Sequence, residues 1–138
     1  MAASLEIEFL GTGTSTGVPV IGCTCPVCLS DDPKNKRLRS SIVVRYNGTT
    51  LLVASSPDLR QQALRSGLTR IDGIIYTHIH LDHVAGFDDL RAFCWHSPDK
   101  LPFYAGGDTM NGLRKMFSWA FEEANNYQGY VRPDPRIM

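Results

Sequence analysis

Thr77-His78-Ile79-His80-Leu81-Asp82-His83 is the stretch on which the reading of this chain turns. Three of the four histidines fall within six consecutive positions, with a carboxylate between the last two. In an extended segment, side chains two apart point the same way, so His78 and His80 can approach one ion together. Asp82 and His83 stand where the chain begins to turn and can face a second ion nearby. Neutral imidazole and carboxylate suit zinc, and also iron or manganese. A lone histidine is most often an ordinary solvated side chain. Three at this spacing, joined by an aspartate, point to metal.

Outward from that stretch, the sequence predicts alternating strands and helices, hence an α/β domain. Ile71 to Tyr76 contains a short apolar strand, G-I-I-Y, that delivers the chain to the histidines. Upstream, Ser56-Pro57-Asp58 reads as a helix start, Leu59 to Ser66 as the helix and Gly67 as its stop. Ser41 to Tyr46 and Thr49 to Ala54 are β-rich runs around Asn47-Gly48, a strong hairpin signal. Leu5 to Leu10 alternates apolar and acidic residues, as a half-buried strand does. The loop Gly11 to Pro19 reads G-x-G-x-x-x-G without a following helix, so it is not a dinucleotide fingerprint. Downstream, Phe87 to Trp95 is predicted as a helix begun by Asp88 and Asp89, Leu101 to Ala105 as a strand, and Asp108 to Glu123 as a longer helix. Tyr130 to Met138 closes no element and reads as a truncation.

A second cluster, Cys23-Thr24-Cys25-Pro26-Val27-Cys28, places three thiols on one tight loop. They can converge on a tetrahedral structural zinc, which wants four ligands, or stand as free thiols. Cys94 and His96 are the only remaining cysteine and histidine, and nothing in the sequence brings either to that loop.

Length and composition set the bounds. The 138 residues suit one domain, 1–138, with 43% hydrophobic and 20% charged residues, as expected for an ordinary globular chain. Fourteen basic and fourteen acidic residues cancel, so no global charge favours nucleic acid or an anionic membrane. No stretch approaches a membrane span. The start, Met1-Ala2-Ala3-Ser4-Leu5-Glu6, lacks a secretory pattern. Cytoplasmic residence is the expectation, and a reducing cytosol leaves the clustered thiols free for metal.

H-x-H-x-D-H directly after a strand resembles the signature of the metallo-β-lactamase-fold hydrolases. The order G-T-G-T-S-x-G-x-P, C-x-C-x-x-C, Arg37-Leu38-Arg39-Ser40-Ser41 entering a strand, S-P-D and H-x-H-x-D-H resembles one branch. That branch comprises the phosphoribosyl cyclic phosphodiesterases, which are similar to the tRNA 3′-end endonucleases. The resemblance spans about Leu5 to Ala105. It implies an αββα sandwich present here as its N-terminal half. It also implies two divalent ions (zinc first, manganese or iron as alternatives), with His78 and His80 on one and Asp82 and His83 on the other. A separate structural zinc on Cys23, Cys25 and Cys28 would take a C-terminal histidine as fourth ligand. The implied chemistry is phosphodiester hydrolysis by a two-metal-activated hydroxide, with Asp82 also orienting the nucleophile. A small anionic phosphodiester is the implied substrate, RNA an alternative, and a membrane is no partner.

The chain departs from that pattern in two ways. The later ligands of both metals and of the cysteine site are absent, since only His96 follows His83. The second half of the sandwich is absent too, which leaves an apolar face uncovered and the 138 residues with little or no activity of their own. Second, the family carries an aspartate at the end of the third strand that orients the metal loop, and here that position is Ala54. Asp58 is a candidate substitute, though its simpler role is at the helix start. Arg37 and Arg39 read as a solvated basic stretch that could touch an anionic substrate. Trp95, Phe117, Trp119 and Phe121 read as core or as part of the uncovered face. Two other functions stay open: a non-catalytic metal-binding module that self-assembles as a homodimer, and a hydrolase of a thioester, lactone or lactam on the same fold.

Overall fold

The Asn47-Gly48 turn is the local feature from which the sheet grows. In the computed structural model, which describes residues 4–125 and 127–138, Asn47 has φ 47° and Gly48 φ 78°. This left-handed pair is what a two-residue hairpin turn demands. It joins β2 (Ser41–Tyr46) to β3 (Thr49–Val53), and β1 (Leu5–Gly11) adds antiparallel to β2. Met1 to Ala3, the opening of the start that lacks a secretory pattern, and Asn126 lie outside the described residues.

From β3 onward the pairing is parallel, through β4 (Gly73–Tyr76), β5 (Leu101–Ala105) and β6 (Pro133–Ile137). The six strands lie in sequential order. The connecting helices are α1 (Leu59–Ser66), α2 (Leu81–Val84), α3 (Arg91–Cys94), α4 (Gly107–Met116) and α5 (Ser118–Phe121). Parallel crossovers are right-handed, so strands added one after another in one direction receive their helices on the same face. Val43, Leu52, Ile74, Tyr76, Phe103 and Ala105 of that face are buried together with Leu59, Phe87, Leu90, Met110 and Leu113 from the crossovers. Among the described residues, no helix is long and apolar enough to cross a membrane.

Among the described residues, the other face carries no helix. Its registered row runs Phe9, Ile42, Val53, Ile75, Tyr104 across five strands. Leu5, Ile7 and Phe9 are 63%, 50% and 68% exposed, so the uncovered apolar face implied by the sequence is present. β1 corrects one expectation. Its alternation is right, but apart from Leu10 its apolar side is the exposed one. Glu6 and Glu8 are instead held by Arg45, at 2.6 and 2.8 Å.

Three further expectations are corrected. Phe87 to Trp95 is not one helix but a 3-10 turn, Phe87–Leu90, followed by the single turn of α3. The helix expected over Asp108 to Glu123 breaks at Phe117, whose backbone at φ −125°, ψ 42° is non-helical. The break lets Phe117 stack on Phe87, with centroids 4.0 Å apart. Phe117 and Phe121 pack against the core, whereas Trp95 is half exposed. Finally, Tyr130 to Met138 does close an element, the edge strand β6. Leu101 N–H donates to Arg132 O and Met138 N–H to Ala105 O, so even-numbered positions face β5. Pro133 and Pro135 therefore lie where the missing N–H would point outward, which an edge strand tolerates and which blunts that edge against further pairing.

Candidate metal centre

The carboxyl ends of β3 and β4 create the site. Ligands in open α/β sheets gather at such ends. β4 stops at Tyr76 and leaves Thr77 to His80 as an extended segment; α2 then begins, with His80 at its N-cap and Asp82 in its first turn. The His83 N–H donates to His80 O at 2.9 Å, and the turn brings the last histidine back against His78. The His78 ring lies 4.7 Å from that of His80 and 4.2 Å from that of His83, centroid to centroid. His83 Nε2 is 3.1 Å from Asp82 Oδ2. Two ligand atoms held at about 2.1 Å from one tetrahedral ion would stand roughly 3.4 Å apart, so this pair fits a shared ion.

Each imidazole is prepared differently. Thr77 Oγ1 is 2.9 Å from His78 Nδ1, which occupies that nitrogen and leaves Nε2 for an ion. Burial holds His83 below the usual histidine range; Asp82 opposes this, and His78 and His80 add to it. A neutral imidazole is the form that binds metal. His83 Nδ1 is buried and, among the described residues, has no hydrogen-bond partner. Ala54, which stands where the family has an aspartate, is buried in a left-handed conformation at φ 66°.

The turn is stapled from below by residues that the sequence reading passed over. Ser55 N–H donates to His83 O, and Gly86 N–H to Ser55 O, both at 2.9 Å. The Ser55 hydroxyl lies 2.6 Å from the buried Tyr76 hydroxyl. A Cβ on Gly86 would come 2.0 Å from Ser56 O, so only glycine permits this approach. Ser56 Oγ donates to Gln62 Oε1 at 2.9 Å, and Gln62 Nε2 to Arg39 O at 2.8 Å. Two serines before Pro57-Asp58 and a glutamine on the buried stripe of α1 were the available signals.

Asp58 does not serve as a helix cap by its side chain. Its carboxylate accepts the Arg39 N–H at 2.9 Å and Arg39 Nη1 at 3.0 Å. It pins the 37–41 strap to the start of α1 and does not stand in for the missing aspartate. Asp88 and Asp89 lie in the first turn of the 3-10 segment, as expected. A cleft of about 390 Å³ opens beside His83, lined by Thr12, Ser40, Ser41, Ala54 and Thr77 together with apolar Phe9, Ile42 and Val53.

The cysteine loop forms a second, separate cluster. The Cys23, Cys25 and Cys28 sulfurs all lie within 4.8 Å of one another. The Cys28 N–H and the Cys23 thiol pull Cys25 down to about 7, which favours the thiolate that metals bind. Val20 N–H donates to Cys28 Sγ at 3.4 Å, yet burial and the neighbouring thiols leave Cys28 raised. The donor set fits a structural zinc with one place left for a fourth ligand. Neither Cys94 nor His96 supplies it. Both line a cavity of about 540 Å³ with Arg70, Asp72 and Lys100.

Comparison with known proteins gives these features a context. Residues 49–134 match the family model described as the beta-lactamase superfamily domain. An octanoyltransferase of Porphyromonas gingivalis is 45% identical over 121 residues, covering 87% of this chain and 24% of that protein. Coenzyme PQQ synthesis protein B of Rhodopseudomonas palustris is 37% identical over 100 residues, 63% of this chain and 32% of that one. Among solved structures, a diphosphatase of the PhnP family superposes with TM-score 0.84 at 38% identity, over 98% of this chain and 52% of that chain. Zinc-bound PqqB of Methylobacterium extorquens superposes with TM-score 0.73 at 24% identity, over 96% and 46%. The chain thus spans a quarter to a third of these curated relatives and about half of the solved structures.

Proposed function

This chain belongs to the beta-lactamase superfamily domain family and has the metallo-β-lactamase fold, and on that premise we propose that it carries the metal-binding half of a phosphodiesterase site. The observation that carries the reading is the convergence of His78, His80 and His83 with Asp82 at the carboxyl end of β4. His78 and His80 hold one divalent ion, and Asp82 and His83 the other, zinc being first choice. When bound, such a pair supplies Lewis-acid activation of water and of a phosphoryl oxygen near neutral pH. Thr77 keeps His78 in the ligating tautomer, burial keeps His83 neutral, and Asp82 orients the attacking water. Cys23, Cys25 and Cys28 hold a third, structural zinc.

A phosphorus-centred substrate is favoured over a lactam, lactone or thioester by likeness to the PhnP-family diphosphatase at 38% identity. The octanoyltransferase activity is that of a protein of which this chain spans 24%, so it is not carried over. The reading is tested on the purified chain by zinc content and by binding of bis(p-nitrophenyl) phosphate. The zinc held by His78 and His80 should be lost in His78→Ala/His80→Ala, and diester binding with it; turnover by the 138 residues alone should be slight. Retention of all zinc in that double variant would reject the assignment.

A second reading, a self-assembling metal-binding module, is favoured by the exposed row Leu5, Ile7 and Phe9, since uncovered apolar faces invite association. Sedimentation separates the two. A strictly monomeric, folded chain removes it.

A further inference from the structure

A cleft of about 720 Å³ lies between the end of α3 and the loop that leads into β6, lined by Arg91, Trp95, Tyr127, Gly129 and Tyr130. Its volume is that of a small-molecule site. The start of β6 pairs with the start of β5, Pro133 with Leu101. The cleft therefore sits toward the amino ends of these parallel strands, whereas the histidines stand at the carboxyl end of β4. Trp95, Tyr127 and Tyr130 are all exposed.

The two walls are fixed to each other. Arg132, buried at 9% exposure, donates from Nη1 to Pro98 O and from Nη2 to Cys94 O, both at 3.0 Å. One guanidinium thus ties the end of α3, next to Trp95, to the segment that carries Tyr130. Asn125 Nδ2 draws the loop together, donating to Ala120 O at 3.2 Å and Val131 O at 3.4 Å. The rings form a ladder rooted in the core. Phe87 meets Trp119 at 6.0 Å, Trp119 meets Tyr130 at 5.1 Å and Tyr130 meets Tyr127 at 4.8 Å, each edge to face. A Cβ on Gly129 would come 2.3 Å from the Tyr127 ring, so glycine lets that ring lie against the backbone. Arg91 precedes Trp95 by one helical turn and shares its side. Its Nη2 is 3.6 Å from Asp88 Oδ2, too long for a hydrogen bond, which leaves the fork its donors.

We infer that this cleft is a nucleotide-binding site, in which the base stacks on the Trp95 and Tyr127 rings and the phosphate pairs with Arg91. Held aromatic faces accept any base, and a guanidinium fork fits a phosphate bidentately. A quaternary ammonium, another guest of aromatic cages, is repelled by Arg91. A proline-rich peptide would use the rings but give Arg91 no anion. A free nucleotide and one unit of a single strand share the chemistry that the cleft recognises. The site stands apart from the metal centre and does not depend on the phosphodiester reading.

The test is calorimetric titration of the chain, in excess chelator, with AMP and with a six-residue oligoadenylate. Saturable binding of AMP is expected, with adenosine weaker by about 10-fold for want of its phosphate. Arg91→Ala and Trp95→Ala should each raise Kd by about 10-fold, and Arg91→Lys should recover part of the loss. Both side chains are exposed, and circular dichroism checks that the variants stay folded. His78→Ala/His80→Ala should bind AMP as the parent does. Tighter binding of the oligomer than of AMP assigns the cleft to single strands; equal binding assigns it to free nucleotides. The inference is overturned if neither ligand binds, if Arg91→Ala or Trp95→Ala keeps the parent affinity, or if AMP binding is lost with His78 and His80. A proline-rich peptide that binds where AMP does not also overturns it.

Discussion

Replacing Ala54 by aspartate should tighten zinc at the histidine site by about 10–100-fold, the range over which a carboxylate behind a histidine ligand acts. The structure supplies each part of the argument. His83 Nδ1 is buried and, among the described residues, unpartnered, and His83 shares the cleft with Ala54. A hydrogen bond from that N–H to an ionised acceptor is worth about 1.5–3 kcal/mol, which spans most of the 10–100-fold range. The backbone raises no objection, because φ 66° at position 54 is a conformation that aspartate adopts more readily than alanine. The cost is desolvation of the new carboxylate, which the imidazole and the metal behind it offset. Zinc affinity is read by competition with a chromophoric chelator in a Cys23→Ser/Cys25→Ser/Cys28→Ser background, so that only the histidine site reports. In the metal-free protein, NMR titration should show the His83 pKa moving up from its depressed position, since the nearby carboxylate favours imidazolium. Ala54→Asn is the control for shape without charge, and should recover a small part of the gain. The reasoning is refuted if aspartate leaves zinc affinity within about twofold of the parent, well short of the range above, or if asparagine matches it.

Asp58→Ala should destabilise the fold by about 1–3 kcal/mol in urea denaturation, because it strips the acceptor from the Arg39 N–H; the guanidinium, 30% exposed, adds little after screening. Asp58→Asn should cost less, and an alanine variant as stable as wild type would return Asp58 to a simple helix-start role. Tyr76→Phe leaves the buried Ser55 hydroxyl without its 2.6 Å partner and should also cost about 1–3 kcal/mol by thermal denaturation. Cys25, held at about 7, should react with iodoacetamide at a rate rising through that pH rather than through the ordinary thiol range, with zinc protecting it. Its pKa is depressed on folding, so the stability it lends is present above the ordinary thiol range and lost as pH falls through about 7.

What could be read locally was written locally. Asn47-Gly48 dictated a hairpin whose turn needs positive φ at two adjacent residues, Gly67 stopped α1 in the left-handed conformation at φ 70°, and G-I-I-Y carried the histidines to a strand end. The histidine cluster and the Cys23–Cys28 loop needed no distant partner to bring their side chains together. β6 was illegible because its two prolines argue against a strand until β5 is present to define which N–H groups face outward. The apolar side of β1 was legible as a side, but which side meets solvent depends on where the crossovers place their helices. Asp58 and Arg39 were sorted into a strap anchor and its partner only by contacts 19 residues apart in sequence. Sequence by itself determined most of the elements and the chemistry of each ligand cluster, because those depend on neighbours within a few residues. Tertiary structure alone decided which faces are covered, which charges are neutralised and which donors remain free, because those follow from long-range pairing that no local pattern encodes.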